Sequence, residues 1–287
     1  MAKPRKYQPP LLLRFTRTFF PVLEKISPFL AVRFFTQLFF TPLKYQFPEK
    51  ELPWLENSKQ TGVRVGNKNI VIYEWGNPEH PAILFIHGWA GRATQFRKFY
   101  DVFIQAGFRI IAFDGPAHGK STGKQTNIIE FAEAVKIIFQ SKGVPEGVIS
   151  HSFGGTVSLF SIFQNIPIKK LITIGTPVIG DLLIDSFLKA VNGTEKTREG
   201  FKKHLIKNYG RSFDEFTAGW LLQRLPFEID LFIIHDEQDK EVSIEHAEAG
   251  AKIYPSAMTL RTQGLGHARI LKDSRVINSC VEFFKTK

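Results

Sequence analysis

Cysteine is almost absent from this chain. Cys280 is the single cysteine among 287 residues, which excludes an internal disulfide and any zinc site built from several cysteines. It lies in an apolar pattern near the end of the sequence, so we expect a buried structural thiol. A chain without disulfides suits a reducing compartment, and we therefore expect a cytoplasmic location.

Long apolar runs are lacking as well. No stretch of the first fifty residues approaches the roughly 20 apolar residues that a membrane-spanning helix needs. Arginines interrupt the apolar stretch at 11–20, and no small-residue cleavage site follows it, which argues against a cleavable signal peptide. We therefore expect neither a transmembrane helix nor a cleaved leader in these residues.

Acidic residues are scarce at the N-terminus. Residues 1–50 contain nine basic and two acidic residues, and they carry a net charge of +7 out of +11 for the whole chain. No helix-turn-helix, zinc-finger or RNA-binding motif accompanies this charge, so we expect no nucleic-acid partner.

The same fifty residues contain nine phenylalanines, and prolines are expected to divide them into short helices. Ser27 followed by Pro28 predicts a helix start, because serine caps a helix and proline favours its first position. A helix is predicted over 29–41, and residues 11–20 show a similar narrow polar stripe. We interpret residues 1–50 as an N-terminal helical extension.

Two interpretations of this extension remain open. Residues 11–41 could lie on the inner face of a membrane as a peripheral contact, with Arg14, Arg17 and Arg33 near anionic head groups. Alternatively, their apolar faces could dock on the rest of the chain. The second is favoured, because the apolar face of 29–41 is too wide for a helix left in water.

Strands and helices are predicted to alternate from about residue 60. Continuous apolar runs at 82–86 and 231–234 are typical of strands buried on both faces of a parallel sheet, and a mainly helical insertion interrupts the alternation at 177–229. We therefore predict one α/β domain over 51–287. Its strands are predicted at 61–66, 69–75, 82–87, 108–113, 146–150, 170–175, 230–235 and 257–262, and its helices at 93–106, 126–141, 154–164, 243–252 and 270–285.

A short motif, Ser150-His151-Ser152-Phe153-Gly154-Gly155, stands between a predicted strand and a predicted helix. A serine between small residues at such a junction is typical of the sharp G-x-S-x-G turn that exposes a nucleophilic hydroxyl. Serine replaces the first glycine of that pattern here. An ordinary tight turn is the structural alternative.

Four further loops follow predicted strands, where open α/β sheets bind their ligands: 87–91, 114–121, 235–242 and 264–267. Of these, 114–121 is interpreted as architectural. A serine nucleophile needs a histidine base and a carboxylate that orients it, and two of the loops supply them: 235–242 contains Asp236 and Asp239, and 264–267 ends in His267. The order serine, acid, histidine is the one expected of this architecture.

These motifs resemble the α/β-hydrolase superfamily from about residue 60 onwards. The resemblance implies an α/β-hydrolase fold, with a mostly parallel eight-stranded sheet flanked by helices and a helical cap formed by 177–229. It also implies roles for Ser152 (nucleophile), His267 (general base and acid) and Asp239 (triad acid). Asp236, at the position usually held by glycine in an H-G-x-x-D loop, remains the alternative acid. The implied oxyanion hole is formed by the backbone N–H groups of Trp89 and Phe153.

The resemblance implies a hydrolase that cleaves a carboxylic ester or a thioester with a hydrophobic acyl group, through an acyl-enzyme. Trp89, Phe153, Leu183 and Trp220 are candidate substrate contacts. The alternative for Phe153 is a role in the core, and the alternative for Leu183 and Trp220 is packing within the cap itself. An amidase or peptidase on the same triad, and a non-catalytic binding module, remain alternatives. No cofactor is implied, and no metal is expected because no H-E-x-x-H or comparable spacing occurs.

Overall fold

The computed structural model describes residues 11–286, and side chains from Phe15 onwards. In these residues the strands are β1 (Lys59–Val65), β2 (Lys68–Trp75), β3 (Ala82–Ile86), β4 (Arg109–Phe113), β5 (Gly147–His151), β6 (Lys170–Ile174), β7 (Asp230–Asp236) and β8 (Met258–Thr262). The α-helices are α1 (Leu11–Ile26), α2 (Pro28–Phe39), α3 (Leu52–Glu56), α4 (Arg97–Gln105), α5 (Ile128–Lys142), α6 (Phe153–Phe163), α7 (Gly180–Val191), α8 (Glu195–Tyr209), α9 (Ala218–Leu222), α10 (Ile244–Ile253), α11 (Gly266–Arg269) and α12 (Ser274–Lys285). Short 3-10 helices lie at Glu49–Glu51, Ala93–Phe96, Asp214–Phe216 and Ile270–Lys272.

The strands form a sheet in the order β1-β2-β4-β3-β5-β6-β7-β8, eight strands within the described residues. β2 is antiparallel to β1 and to β4, and the pairs from β4 onwards are parallel. This confirms the predicted fold class. Parallel strands end at one edge of a sheet, so the loops after β3, β5, β6, β7 and β8 meet there.

The sheet is covered on both faces, as its apolar runs predict. Helices α5 and α6 pack on one face through residues such as Phe131 and Leu159, and α4 and α12 pack on the other through Phe99 and Val281. Cys280 is buried in the second layer. Burial raises the pKa of its thiol, so the predicted structural thiol is poorly ionised and unreactive.

By its internal contacts the chain divides into two compact units. Unit 1 comprises Met1–Phe40 and Gly180–Phe213, of which residues 11–40 and 180–213 are described, and unit 2 comprises Thr41–Ile179 and Asp214–Lys287. The predicted insertion at 177–229 is therefore shared: α7 and α8 belong to unit 1, and α9 belongs to unit 2.

Unit 1 is built on clustered aromatic rings. Phe201 of α8 is fully buried, with its ring centroid 5.3 Å from that of Phe35 and 4.7 Å from that of Phe39, both on α2. α1 adds the fully buried Phe20. Its buried Glu24 accepts hydrogen bonds from the Thr194 backbone N–H at 3.2 Å and from the Thr194 and Thr197 hydroxyls. A carboxylate at the start of α8 also complements the helix dipole.

Helix α1 differs from the prediction, because it continues through Pro21 instead of ending there. Proline has no N–H, so the carbonyl of Arg17, four residues earlier, loses its helical partner. The Asn192 side chain replaces that donor, with its Nδ2 atom 3.1 Å from the Arg17 oxygen. The start of α2 agrees with the prediction: Ser27 Oγ accepts a hydrogen bond from the Leu30 N–H. Among the described residues no helix is both long and apolar enough to cross a membrane.

Removal of residues 1–47 should unfold the remainder of unit 1. Without α1 and α2, Phe201, Ile184 and Leu188 would lose the aromatic side chains that cover them, and large apolar losses of this kind cost several kcal/mol each. Trypsin should then cleave rapidly after Lys202 or Lys203 of α8, which is to be followed by mass spectrometry. Equal resistance in the truncated and full-length chains would contradict this packing argument.

Candidate active site

Ser152 occupies a strained turn between β5 and α6. Its backbone has φ +53° and ψ −125°, a conformation that non-glycine residues seldom adopt and that functional sites often retain. The turn is fixed because the Ser152 N–H donates to the Ile174 oxygen at 2.8 Å and the Thr176 hydroxyl donates to the Ser152 oxygen at 3.2 Å. The hydroxyl therefore stands at the carboxyl edge of the sheet.

Close packing around the turn explains the small residues of the motif. A side chain at Gly154 would collide with the Ile86 carbonyl, and one at Gly155 would collide with Thr176. A Cβ at Gly88 would lie 2.9 Å from the Ser152 Cβ. Ser150, which replaces the usual first glycine, is accommodated because its hydroxyl donates to the Ile172 oxygen at 2.9 Å.

His267 and Asp239 form a hydrogen-bonded pair. The His267 Nδ1 lies 2.7 Å from the Asp239 Oδ2, and both groups face Gly175, at the end of β6 beside the Ser152 turn. Burial alone would raise the pKa of Asp239. The hydrogen bonds from His267 and from the Val242 and Glu241 N–H groups outweigh burial and lower it. The carboxylate is therefore charged and holds the proton of His267 on Nδ1, which leaves Nε2 as the basic atom.

Asp236 has a different role in the same loop. Its Oδ1 accepts the Gln238 N–H at 3.0 Å, and its Oδ2 accepts the Thr262 hydroxyl at 2.8 Å and the Leu265 N–H at 3.0 Å. These bonds connect the loop after β7 to the loop after β8. Of the two candidate acids, Asp239 is the one hydrogen-bonded to His267.

The candidate oxyanion donors are the backbone N–H groups of Phe153, which follows Ser152, and of Trp89, which lies in the loop after β3. Phe153 is the first residue of α6, where backbone N–H groups have no partner within the helix. Trp89 precedes Ala90, whose N–H donates to the His118 Nε2 at 3.0 Å, and this bond fixes the turn. The Trp89 and Phe153 rings meet edge to face with centroids 5.3 Å apart. The folded chain thus brings Trp89 and Phe153 together next to Ser152.

His151 and Gln95 support the pair, and of the two only His151 belongs to the serine motif of the sequence. The His151 Nε2 lies 2.9 Å from the His267 backbone oxygen, and its Nδ1 lies 3.3 Å from the Gln95 Nε2. Burial, reinforced by His267, lowers the pKa of His151 to about 3. A neutral His151 therefore donates from Nε2 and accepts at Nδ1. Nothing in the sequence pattern signals Gln95, because its contribution depends on the loop after β3 folding back onto β5.

The other two predicted substrate contacts, Leu183 and Trp220, each pack within their own unit. Trp220 packs against Phe163, with ring centroids 5.3 Å apart, at the end of α6 opposite to Ser152. Its indole also stacks under Arg224, whose guanidinium carbon is 4.3 Å from the ring centroid. Leu183 is partly buried against the core of unit 1. These contacts fit the packing alternative for both side chains.

Several other histidines are held neutral by the backbone. The Nε2 atoms of His87 and His118 accept the Gly115 and Ala90 N–H groups, and the Nδ1 atom of His246 accepts the Val178 and Ile179 N–H groups. No group of three potential ligand side chains is arranged for a metal ion in the part of the chain that the structure describes. These histidines are architectural.

Stability should decrease as the pH falls from 7 towards 4. Burial lowers the pKa of His87 and His246 to about 4 and that of His118 to about 3. In the unfolded chain these groups bind protons near pH 6.5, so the unfolded state takes up more protons over this range. His87 alone accounts for a loss of about 3 kcal/mol.

Urea unfolding at several pH values would measure this loss. His87→Gln keeps an acceptor for Gly115 but cannot titrate, and it should flatten the pH dependence. An unfolding free energy that is constant from neutral pH to about pH 4 would refute the neutral assignment.

Comparison with known proteins finds relatives in sequence and a likeness of fold. A bifunctional esterase/perhydrolase from Acinetobacter calcoaceticus is 24% identical over 156 residues, which cover 53% of this chain and 56% of that protein. A serine hydrolase-like protein from Homo sapiens is 27% identical over 137 residues, 45% of this chain and 66% of that protein. The chain thus spans less than two thirds of the length of these relatives. The solved structure of an esterase from Pyrococcus furiosus superposes with a TM-score of 0.63 at 20% identity, covering 85% of this chain and 96% of that one, which is a likeness of fold.

A family model described as the alpha/beta hydrolase fold matches residues 81–229. The match is more than half of the chain and runs from β3 through the Ser152 turn to the residue before β7. Together with the sheet order and the turn after β5, it shows that this chain belongs to the alpha/beta hydrolase fold family.

Proposed function

We propose that the chain is a serine hydrolase that cleaves a carboxylic ester with a hydrophobic acyl group. The observation that carries the proposal is the 2.7 Å hydrogen bond between His267 Nδ1 and Asp239 Oδ2, at the sheet edge where Ser152 occupies its strained turn. A charged acid, an imidazole that it holds and a serine hydroxyl are the three groups that acyl transfer requires.

In the first half-reaction, Ser152 Oγ attacks the ester carbonyl carbon and its proton passes to His267 Nε2. Asp239 stabilises the imidazolium that forms. The negative charge on the carbonyl oxygen is bound by the N–H groups of Trp89 and Phe153, an arrangement worth about 3–4 kcal/mol per donor in comparable sites. The tetrahedral species then expels the alcohol, which takes the proton from His267, and an acyl-Ser152 ester remains.

In the second half-reaction, water attacks the acyl-enzyme. His267 accepts one proton from the water, and the hydroxide adds to the acyl carbon. The Ser152 oxygen leaves and regains the proton, so the products are one carboxylic acid and free enzyme. The original proton of Ser152 has left with the alcohol, and a proton from water replaces it, so the enzyme returns to its starting state. No cofactor takes part.

The hydrophobic acyl group is inferred from the aromatic side chains beside the serine. Phe153 lies against Phe131 as well as Trp89, with centroids 5.5 Å and 5.3 Å away. Such rings offer apolar contact and exclude water from the reacting carbonyl. The names of the relatives, an esterase/perhydrolase and a serine hydrolase-like protein, support the bond class and the serine.

The test combines labelling with a substrate series. A fluorophosphonate probe followed by peptide mass spectrometry should modify Ser152, and p-nitrophenyl esters of increasing chain length should reveal the acyl preference. Matched thioesters and anilides extend the series to the other two bond classes. Faster cleavage of anilides than of esters would favour an amidase. A lack of labelling and turnover in the native protein would favour the binding module and refute the proposal.

A further inference from the structure

An exposed apolar stripe runs along α1. Phe15, Phe19, Val22 and Ile26 recur every three or four residues, so they share one face of the helix. All four are exposed, Phe15 by 67% and Ile26 by 77%. Soluble surfaces rarely present apolar side chains in such a row, and contiguous exposed patches mark interaction sites.

The same helix has a second apolar face that is already occupied. Phe20 is fully buried, and Thr16 and Glu24 are nearly so, within unit 1. Packing against α7 and α8 therefore explains one side of α1 and leaves the stripe unexplained. The two interpretations of the extension, docking and membrane contact, thus concern different faces of one helix.

The stripe continues onto the start of α2. Phe29 is 74% exposed and Leu30 is 47% exposed, and Arg33 lies on the same helix face, four and three residues further on. We define the α1–α2 stripe as Phe15, Phe19, Val22, Ile26, Phe29 and Leu30. An aromatic and aliphatic surface with a cation at its border is the composition that suits the interface of a bilayer.

The part of the chain that contains the stripe is also the positively charged part. In residues 15–40 the exposed charged side chains are Arg17, Lys25 and Arg33, whereas the acidic Glu24 is buried and hydrogen-bonded to Thr194 and Thr197. By sequence, residues 1–40 and 180–213 carry +9 of the chain's net charge of +11. Unit 1 is therefore strongly basic, whereas unit 2 is nearly neutral.

We propose that unit 1 binds the surface of an anionic lipid bilayer through the α1–α2 stripe. The apolar side chains enter the boundary between head groups and acyl chains, and Lys25 and Arg33 contact the anionic head groups. A second copy of this chain fits less well, because pairing of two such units would bring two strongly positive surfaces together. The proposal is independent of the serine chemistry.

Site-directed fluorescence gives a direct test. Cys280 is buried and is the single native cysteine, so Ile26→Cys can be labelled selectively with the environment-sensitive dye NBD. Val144→Cys is the matched control, since Val144 is 64% exposed but belongs to unit 2. Vesicles of phosphatidylcholine and phosphatidylglycerol at low salt should shift the emission to the blue and increase it at position 26 and leave position 144 unchanged. Equal responses at both positions, or none at 26, would overturn the proposal.

Flotation with the same vesicles measures the affinity. Ile26→Glu should lower partitioning about tenfold or more, because the variant can no longer bury the isoleucine side chain in the bilayer interface. Val144→Glu should have no effect, and Ser152→Ala should float like the unaltered protein. High salt or vesicles of phosphatidylcholine alone should weaken binding.

Two further results would overturn this assignment of the stripe. Light scattering without lipid that shows a dimer, abolished by Ile26→Glu, would identify a second copy as the occupant. Absence of flotation with anionic vesicles at low salt would exclude the bilayer, because electrostatic attraction is strongest under that condition.

Discussion

Replacement of Ser152 by alanine should abolish ester turnover and leave the protein folded. Removal of a triad nucleophile lowers kcat on the order of a million-fold in comparable enzymes, because the members of a triad act as a unit. Alanine retains the Cβ that lies beside Gly88, and the hydrogen bond from the N–H to Ile174 does not depend on the hydroxyl. The thermal midpoint should therefore change little.

Ser150→Ala is the matched control for this variant. Ser150 lies two residues earlier, is fully buried, and its hydroxyl donates to the backbone of β6. We expect near-normal turnover and a stability loss of about 1 kcal/mol from the lost hydrogen bond. Initial rates with the preferred p-nitrophenyl ester, with thermal unfolding of both variants, measure the contrast. Near wild-type hydrolysis by Ser152→Ala would refute the mechanism.

Asp239→Asn should reduce kcat roughly ten-thousand-fold. The amide oxygen can still accept the Glu241 and Val242 N–H groups that now bond to Oδ1, so the amide nitrogen would face His267 Nδ1. That nitrogen is a donor, and it would force His267 to carry its proton on Nε2, where the proton of Ser152 must be received. The loss should appear in kcat with little change in stability.

Asp236→Asn tests whether the loss is specific. Its amide nitrogen would oppose donors such as Leu265 N–H and the Thr262 hydroxyl, so the thermal midpoint should fall and turnover should stay within a few-fold. Asp239→Asn should therefore lower the rate and spare stability, and Asp236→Asn should lower stability and spare the rate. If Asp236→Asn instead caused the severe loss of turnover, the triad acid would be Asp236.

The positions of the strands could be predicted from the sequence because buried parallel strands are continuous apolar runs. Each predicted strand is confirmed to within two residues, and the runs at β3 and β7 are the clearest examples. The mostly parallel arrangement and the loops that meet at its edge follow from this pattern and the turn motif, whereas the order of the strands comes from the structure. Local patterns therefore predicted which loops hold the candidate site residues.

The remaining features depend on contacts between distant residues. Asp236 and Asp239 share one short loop, and the side chain that faces His267 is decided by the fold of the loop after β8. The length of α1 depends on Asn192, which is remote in sequence and replaces the donor that Pro21 lacks. Trp220 was weighed as a substrate contact, but it packs on Phe163, and apolar character alone does not separate these two roles.

The division of unit 1 between two distant segments has a consequence for synthesis on the ribosome. Helices α1 and α2 precede their partners α7 and α8 by about 140 residues of chain. At the usual elongation rate of about 5–20 residues per second, synthesis of this intervening chain takes about 7–28 s. The aromatic side chains around Phe20 and Phe35 cannot pack against α7 and α8 before then. During that interval the aromatic and basic segment that forms α1 and α2 is exposed on the nascent chain. Chaperones and membrane surfaces near the exit tunnel therefore meet this segment before the rest of unit 1 exists.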